Sequence, residues 1–423
     1  MRVWRWIYVG ALALCLVVGL GVWNPLSQLN ATNSLIPRFV VDPFWPKPLP
    51  VDKDTGKPWV TGEVGGTCVD SRDHVFTVNR AFQNGLVAPE TVIAVPSPPV
   101  IEYDRHGNVV NAWGNPDILP NSVHGCFVDY QDNVWIAGNG DGIVQKYSHD
   151  GNTLLLQIGT KGVCDWPANN NACGNSGADP NANQSKTLLN EPADIAVDPT
   201  NGDIYIADGY GNHRVVVFNS SGTYLRQWGS VGDGPGQFAA GDGGHPHCVA
   251  IGNDGLVYAC DRGQDRIQVF DKFGELKKII PVIPGTGTPG IGTAGSAWDV
   301  DFSRDKKQEL MFETDGGNEV LWIFDRIAAL AGKAIEAMPG QGILAGFGRP
   351  GHQAGEFTFL HTVSADSKGD LYVGETVGGR RIQKFLRRGN LLDKELEVFI
   401  PAGNPDEPLP HYNPVRDGDR DKD

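Results

Sequence analysis

The stretch NEPADIAVDPTNGDIYIADGYGNHRVVVFNSSGTYLRQWG, residues 190–229, decides the fold. It holds a short apolar strand, an Asn-Gly turn and a second strand, I-Y-I-A. A polar turn leads to a third strand, R-V-V-V-F, and a fourth closes on Trp228-Gly229. Apolar residues follow strand period, not helix period. The same order recurs in VHGCFVDYQDNVWIAGNGDGIVQKYSHDGNTLLLQIG (123–159), HPHCVAIGNDGLVYACDRGQDRIQVF (245–270) and FLHTVSADSKGDLYVGETVGGRRIQKFLRRG (359–389). Looser copies lie at 66–114, split by an insertion, and at 296–326. Units of roughly 40 residues with this strand content mark a β-propeller. One four-stranded sheet cannot cover its own apolar faces, whereas six packed face to face in a ring can. The chain is therefore predicted to be all-β, a six-bladed propeller.

The flanks read differently. Residues 1–23 carry Arg2 and Arg5, then an apolar run from Trp6 to Trp23. That run is long enough to span a bilayer and predicts a signal anchor or a signal peptide, with an N-terminal helix in the membrane. The domain is then exported: anchored on the extracytoplasmic side, or secreted or periplasmic after cleavage. Residues 24–60 are Pro-rich and read as an extended linker able to donate an edge strand. The propeller is assigned to 61–400 and a polar tail to 401–423. The net charge of −15 argues against a nucleic-acid partner. Nothing in the sequence speaks to oligomeric state.

Export allows disulfides. Cys164 and Cys173 share one Gly/Asn-rich insertion and are expected to close a small loop. Cys248 and Cys260 flank the Asn253-Asp254-Gly255 turn. There the sequence leaves a cross-hairpin bridge and two buried thiols equally open.

Aligning the units on the residue that ends the first strand exposes a column five positions earlier: Gly65, His124, Ala193, His247, Trp298, His361. Histidine occupies alternate units, and alternate blades of a six-bladed ring lie about 120° apart, with first strands lining the channel. Three imidazoles are thus expected to converge on the axis. That is the ligand set of an open metal site, with Zn²⁺ favoured and Fe, Cu, Ni and Mn compatible. A lone strand histidine is more often structural; the alternation is what argues for metal. His245 is the alternative to His247, disfavoured by register and by Pro246.

A second layer follows at the end of the second strands. Arg80 and Arg262 share one register, and Tyr210 lies one step further along in unit three. Two guanidiniums there suit a carboxylate, gripped by parallel hydrogen bonds, so a small-molecule or peptide substrate bearing one is expected. A tyrosine near cations and a metal suits a base. The plainer readings are turn salt bridges with a neighbouring aspartate and a packing tyrosine.

The units resemble NHL repeats over most of residues 60–390. ADGYGNHRVVVF (207–218), then PHCVAI and CDRGQDRIQVF, resemble the peptidyl-α-hydroxyglycine α-amidating lyases. The resemblance implies zinc on His124, His247 and His361, Tyr210 as base, and Arg80 and Arg262 as substrate-side cations. The implied reaction cleaves the N–C bond of an α-hydroxyglycine-like carbinolamide to an amide and glyoxylate. There are departures. In place of the lyases' Met-Pro-His-Asp the chain reads Phe359-Leu360-His361-Thr362. The aspartate of that motif serves a structural calcium site, so Ca²⁺ is doubtful here. The alternatives are another metal-dependent propeller lyase or lactonase, or a non-catalytic NHL scaffold for a protein or glycan.

Overall fold

The second strands of the repeats are apolar almost throughout, and every residue of VFTVN, VWIAG, IYIAD, VYACD, LMFETD and LYVGE is buried. A strand covered on both faces needs no polar alternation. Outer strands such as Val109–Trp113 and Tyr224–Trp228 are only partly buried, because solvent reaches them.

The computed structural model describes residues 36–166, 172–174, 182–240, 243–286, 295–334 and 340–390. Within the unit Phe39–Arg388 the strands form six four-stranded antiparallel sheets. Their inner strands are Val64–Val69, Val123–Val128, Asp194–Val197, Val249–Ile251, Asp299–Phe302 and Leu360–Ala365. Each inner strand touches the next, and the sixth touches the first, so the ring is closed. The architecture is the six-bladed propeller that the repeats predict. The second unit, residues 1–38 and 389–423, lies almost wholly outside the described residues, and so do the expected N-terminal helix and polar tail. No helix among the described residues is long and apolar enough to cross a membrane.

Blade six is built from both ends of the domain. Leu360–Ala365, Leu371–Glu375 and Arg381–Asn390 come from its end, and Pro37–Asp42 supplies the outer strand from its beginning. Just after that strand, Trp45 is buried against Tyr103 of blade one and Tyr372 of blade six.

In four blades the residue directly after the inner strand is an aspartate that caps the following turn. Asp70, Asp129 and Asp366 each accept two backbone N–H bonds from the turn through Oδ1, and Asp198 accepts from Thr200. Such Asx turns are local and cheap in sequence, which is why they recur. All six cysteines among the described residues are paired. Cys164–Cys173 closes the insertion loop and Cys248–Cys260 spans the hairpin of blade four. Cys68–Cys126, unforeseen in the sequence, joins the inner strands of blades one and two.

Candidate metal centre

The inner strands enclose an axial cavity of about 490 Å³, lined by His124, His247 and His361. All three rings are buried, with centroids 4.6–5.0 Å apart. One ring nitrogen from each lies within 4.8 Å of the others. His245 is not among them; its Nδ1 accepts from the Gly263 N–H.

The column explains how the rings are held. His124 Nδ1 donates to the Ala193 carbonyl (2.8 Å), and His247 Nδ1 donates to the Trp298 carbonyl (2.7 Å). The Gly65 carbonyl is the corresponding partner of His361, at a looser geometry that falls short of a full hydrogen bond. Blades without a histidine thus supply the backbone oxygen that orients the histidine of the preceding blade. Gly65 suits its place because a Cβ there would lie 2.3 Å from the Val123 carbonyl.

A carbonyl only accepts, so the proton of His124 and of His247 sits on Nδ1 and each Nε2 presents a lone pair. Burial pushes all three imidazoles well below their ordinary range. For His124 the next cause is His361, for His247 it is Arg262, and for His361 it is Arg80. They are neutral at pH 7. The Tyr210 hydroxyl stands 3.1 Å from Nε2 of His124 and 3.2 Å from Nε2 of His247. It has one hydrogen to give, so it cannot satisfy both lone pairs. Neutral, pre-oriented imidazoles with an unmet demand for positive charge fit a metal ion.

Arg80 is fixed by Glu63 (3.0 Å) and by the Val123 carbonyl (2.9 Å), next to His124. Its ion-pair partner is thus Glu63, not a neighbouring aspartate. Arg262 opens the turn Arg262–Gln264, its guanidinium 4.3 Å over the Trp298 indole and 5.5 Å from the Tyr210 ring. The structure therefore brings all six singled-out residues to one end of the channel. Sequence reading missed Glu63 and the role of Trp298. The indole packs against His247 and His361 and carries Arg262 as a cation–π platform. Its signal was present, since Trp298 stands in the histidine column.

Below the histidines, Asp194 accepts from the Val249 N–H, and Asp299 accepts from Thr362 Oγ1 and the Val363 N–H. Burial raises both carboxyls, and each tie joins one inner strand to the next. Thr362, which replaces the aspartate of the lyase motif, is thus engaged with Asp299.

A family model described as "NHL repeat" matches residues 189–218. The chain is a six-bladed β-propeller that carries an NHL-repeat match in its third blade. Among similar proteins, human "NHL repeat-containing protein 3" is 26% identical over 298 residues, which is 68% of this chain and 73% of that protein. "Peptidyl-glycine alpha-amidating monooxygenase B" of Xenopus laevis is 28% identical over 250 residues, covering 54% of this chain and 26% of the larger protein. "Probable peptidyl-alpha-hydroxyglycine alpha-amidating lyase" of Caenorhabditis elegans is 23% identical over 244 residues, 55% of this chain and 62% of that one. The proteins similar to this propeller thus include amidating enzymes.

Proposed function

We propose that this propeller is a metal-dependent lyase that cleaves the N–C bond of a peptidyl-α-hydroxyglycine-like carbinolamide, releasing an amide and glyoxylate. The observation that carries the reading is the Tyr210 hydroxyl placed between two Nε2 lone pairs of a buried histidine triad, with Arg262 against its ring.

His124, His247 and His361 would hold the ion, zinc by donor type. A zinc ion there supplies Lewis acidity toward the substrate's α-hydroxyl. Tyr210 takes the hydroxyl proton. As the C–N bond breaks, its electron pair goes to the amide nitrogen, which is protonated, and the hydroxyl carbon becomes the aldehyde of glyoxylate. Arg262, braced on Trp298, and Arg80, braced on Glu63, hold the substrate carboxylate and offset developing charge. No oxidant or second substrate is required.

The six paired cysteines support an oxidising, extracytoplasmic location. The test is metal analysis of the full chain purified without chelator or immobilised nickel, paired with a glyoxylate-release assay. The expected result is one axial zinc lost in His124→Ala. In Tyr210→Phe the zinc stays and turnover falls by roughly 10²–10⁴. A zinc content unchanged from wild type in His124→Ala, or a Tyr210→Phe variant with full turnover, would overturn the assignment. A metal-free wild-type chain would leave the protein as a binding scaffold.

A further inference from the structure

The turn that follows the first inner strand gathers a second set of ligand-type side chains. It lies past the far end of Val64–Val69, roughly 16 Å from the histidine layer at about 3.3 Å per residue. Asp70 spends Oδ1 on the backbone N–H groups of Arg72 and His74, both at 2.8 Å. Its Oδ2 faces His149 Nε2, from the neighbouring blade, at 2.9 Å. Glu102 Oε1 is 2.6 Å from His74 Nδ1. One ligand atom each from Asp70, His74 and Glu102 lies within 4.8 Å of the others.

At the centre sits Arg72 Nη2, 3.0 Å from Asp70 Oδ2, 3.6 Å from Glu102 Oε1 and 2.7 Å from His149 Nε2. These contacts cannot all be satisfied. A guanidinium nitrogen only donates. If His149 Nε2 carries a hydrogen for Asp70, it opposes another donor on Arg72. If it accepts from Arg72, its lone pair faces the carboxylate. A cation without hydrogens at that point relieves the conflict, because both oxygens and the imidazole can direct lone pairs at it.

We propose that Asp70, Glu102 and His149, with His74 beside Glu102, form a second binding site for a first-row divalent metal ion at the seam of blades one and two, for which Arg72 stands in. The two carboxylate side chains are buried, at 0% and 5% exposure, whereas Arg72 is 55% exposed and free to swing into solvent. The His149 ring is fixed edge-on against Phe76. An open cavity of about 450 Å³ bordered by Arg72, His74, Glu102 and His149 gives the ion a path. Mixed imidazole and carboxylate donors suit zinc-class ions better than calcium.

The test is equilibrium dialysis of the full chain against zinc, with cobalt absorption as an independent report on ligand geometry. The His124→Ala chain, crippled at the axis, is expected to keep one zinc equivalent. His149→Ala, which alters a partly exposed ring, and Glu102→Gln should each remove it, singly and in the His124→Ala background. Arg72→Ala should tighten binding by roughly tenfold or more, because a competing charge is gone. The proposal is overturned if the His124→Ala chain binds no zinc, if His149→Ala releases none, or if Arg72→Ala leaves the affinity unchanged. A wild-type chain with one zinc, released by His149→Ala and not by His124→Ala, would sink the axial reading and keep this one.

Discussion

His361 differs from its two counterparts in how loosely it meets its backbone partner. All three imidazoles share a stronger property, neutrality enforced by burial. In the metal-free chain this couples stability to pH. The unfolded chain takes up protons near the ordinary value of 6.5, while the folded ring resists them. Stability from this source is complete above 6.5 and is lost as pH falls below it, until the folded imidazoles protonate in turn. Asp194 and Asp299, with raised values, act in the opposite direction. Comparison with His361→Ala isolates the histidine part. Between pH 7.5 and 5.5 the urea midpoint of stripped wild type should fall further than that of His361→Ala; equal slopes would contradict the burial argument. A second expectation concerns Trp298→Ala. Without its indole under the guanidinium, Arg262 loses its platform, so KM should rise while zinc content holds.

The inner strand is the element that does most for the site, and its ties to neighbouring strands carry the energetics. Cys68–Cys126 joins two such strands across 58 residues, whereas Cys248–Cys260 spans 12 within one hairpin. On the chain-entropy account, losing the first costs about 4 kcal/mol and losing the second about 3 kcal/mol. Urea unfolding of the two Cys→Ser pairs should reproduce that order; a costlier hairpin pair would show that packing, not loop closure, dominates. This contrast also marks what was readable from the sequence. The repeat, the strand period and the histidine column could be read because each is a pattern in register along one unit. Cys164–Cys173 was readable because it is local. Cys68–Cys126, Arg80–Glu63 and the group around Asp70 and His149 were not, because each depends on distances fixed only when strands far apart in sequence, often from different blades, pack together. Trp298 lay between these cases. Its position was visible, but its work as an acceptor and platform needed two neighbouring blades in place.

At the scale of the whole ring, closure rests on Pro37–Asp42 beside Arg381–Asn390. Deleting residues 37–42 leaves a long open edge, and open edges recruit other strands. The shortened protein should lose thermal stability and should associate in light scattering, at protein concentrations where wild type does not. An unchanged particle size and midpoint would mean that blade six stands on three strands alone.

That seam also sets the order in which the protein comes into being. His124 leaves the ribosome long before His361, whose backbone partner, Gly65, was made earlier still. A nascent chain therefore carries one axial histidine until His247 is made and gains the third only as blade six forms. Contacts between such distant parts of a chain form slowly. On the metal reading proposed above, ion capture would then be the last act of maturation, and a molecule cut short before blade six would lack the third histidine of the axial set.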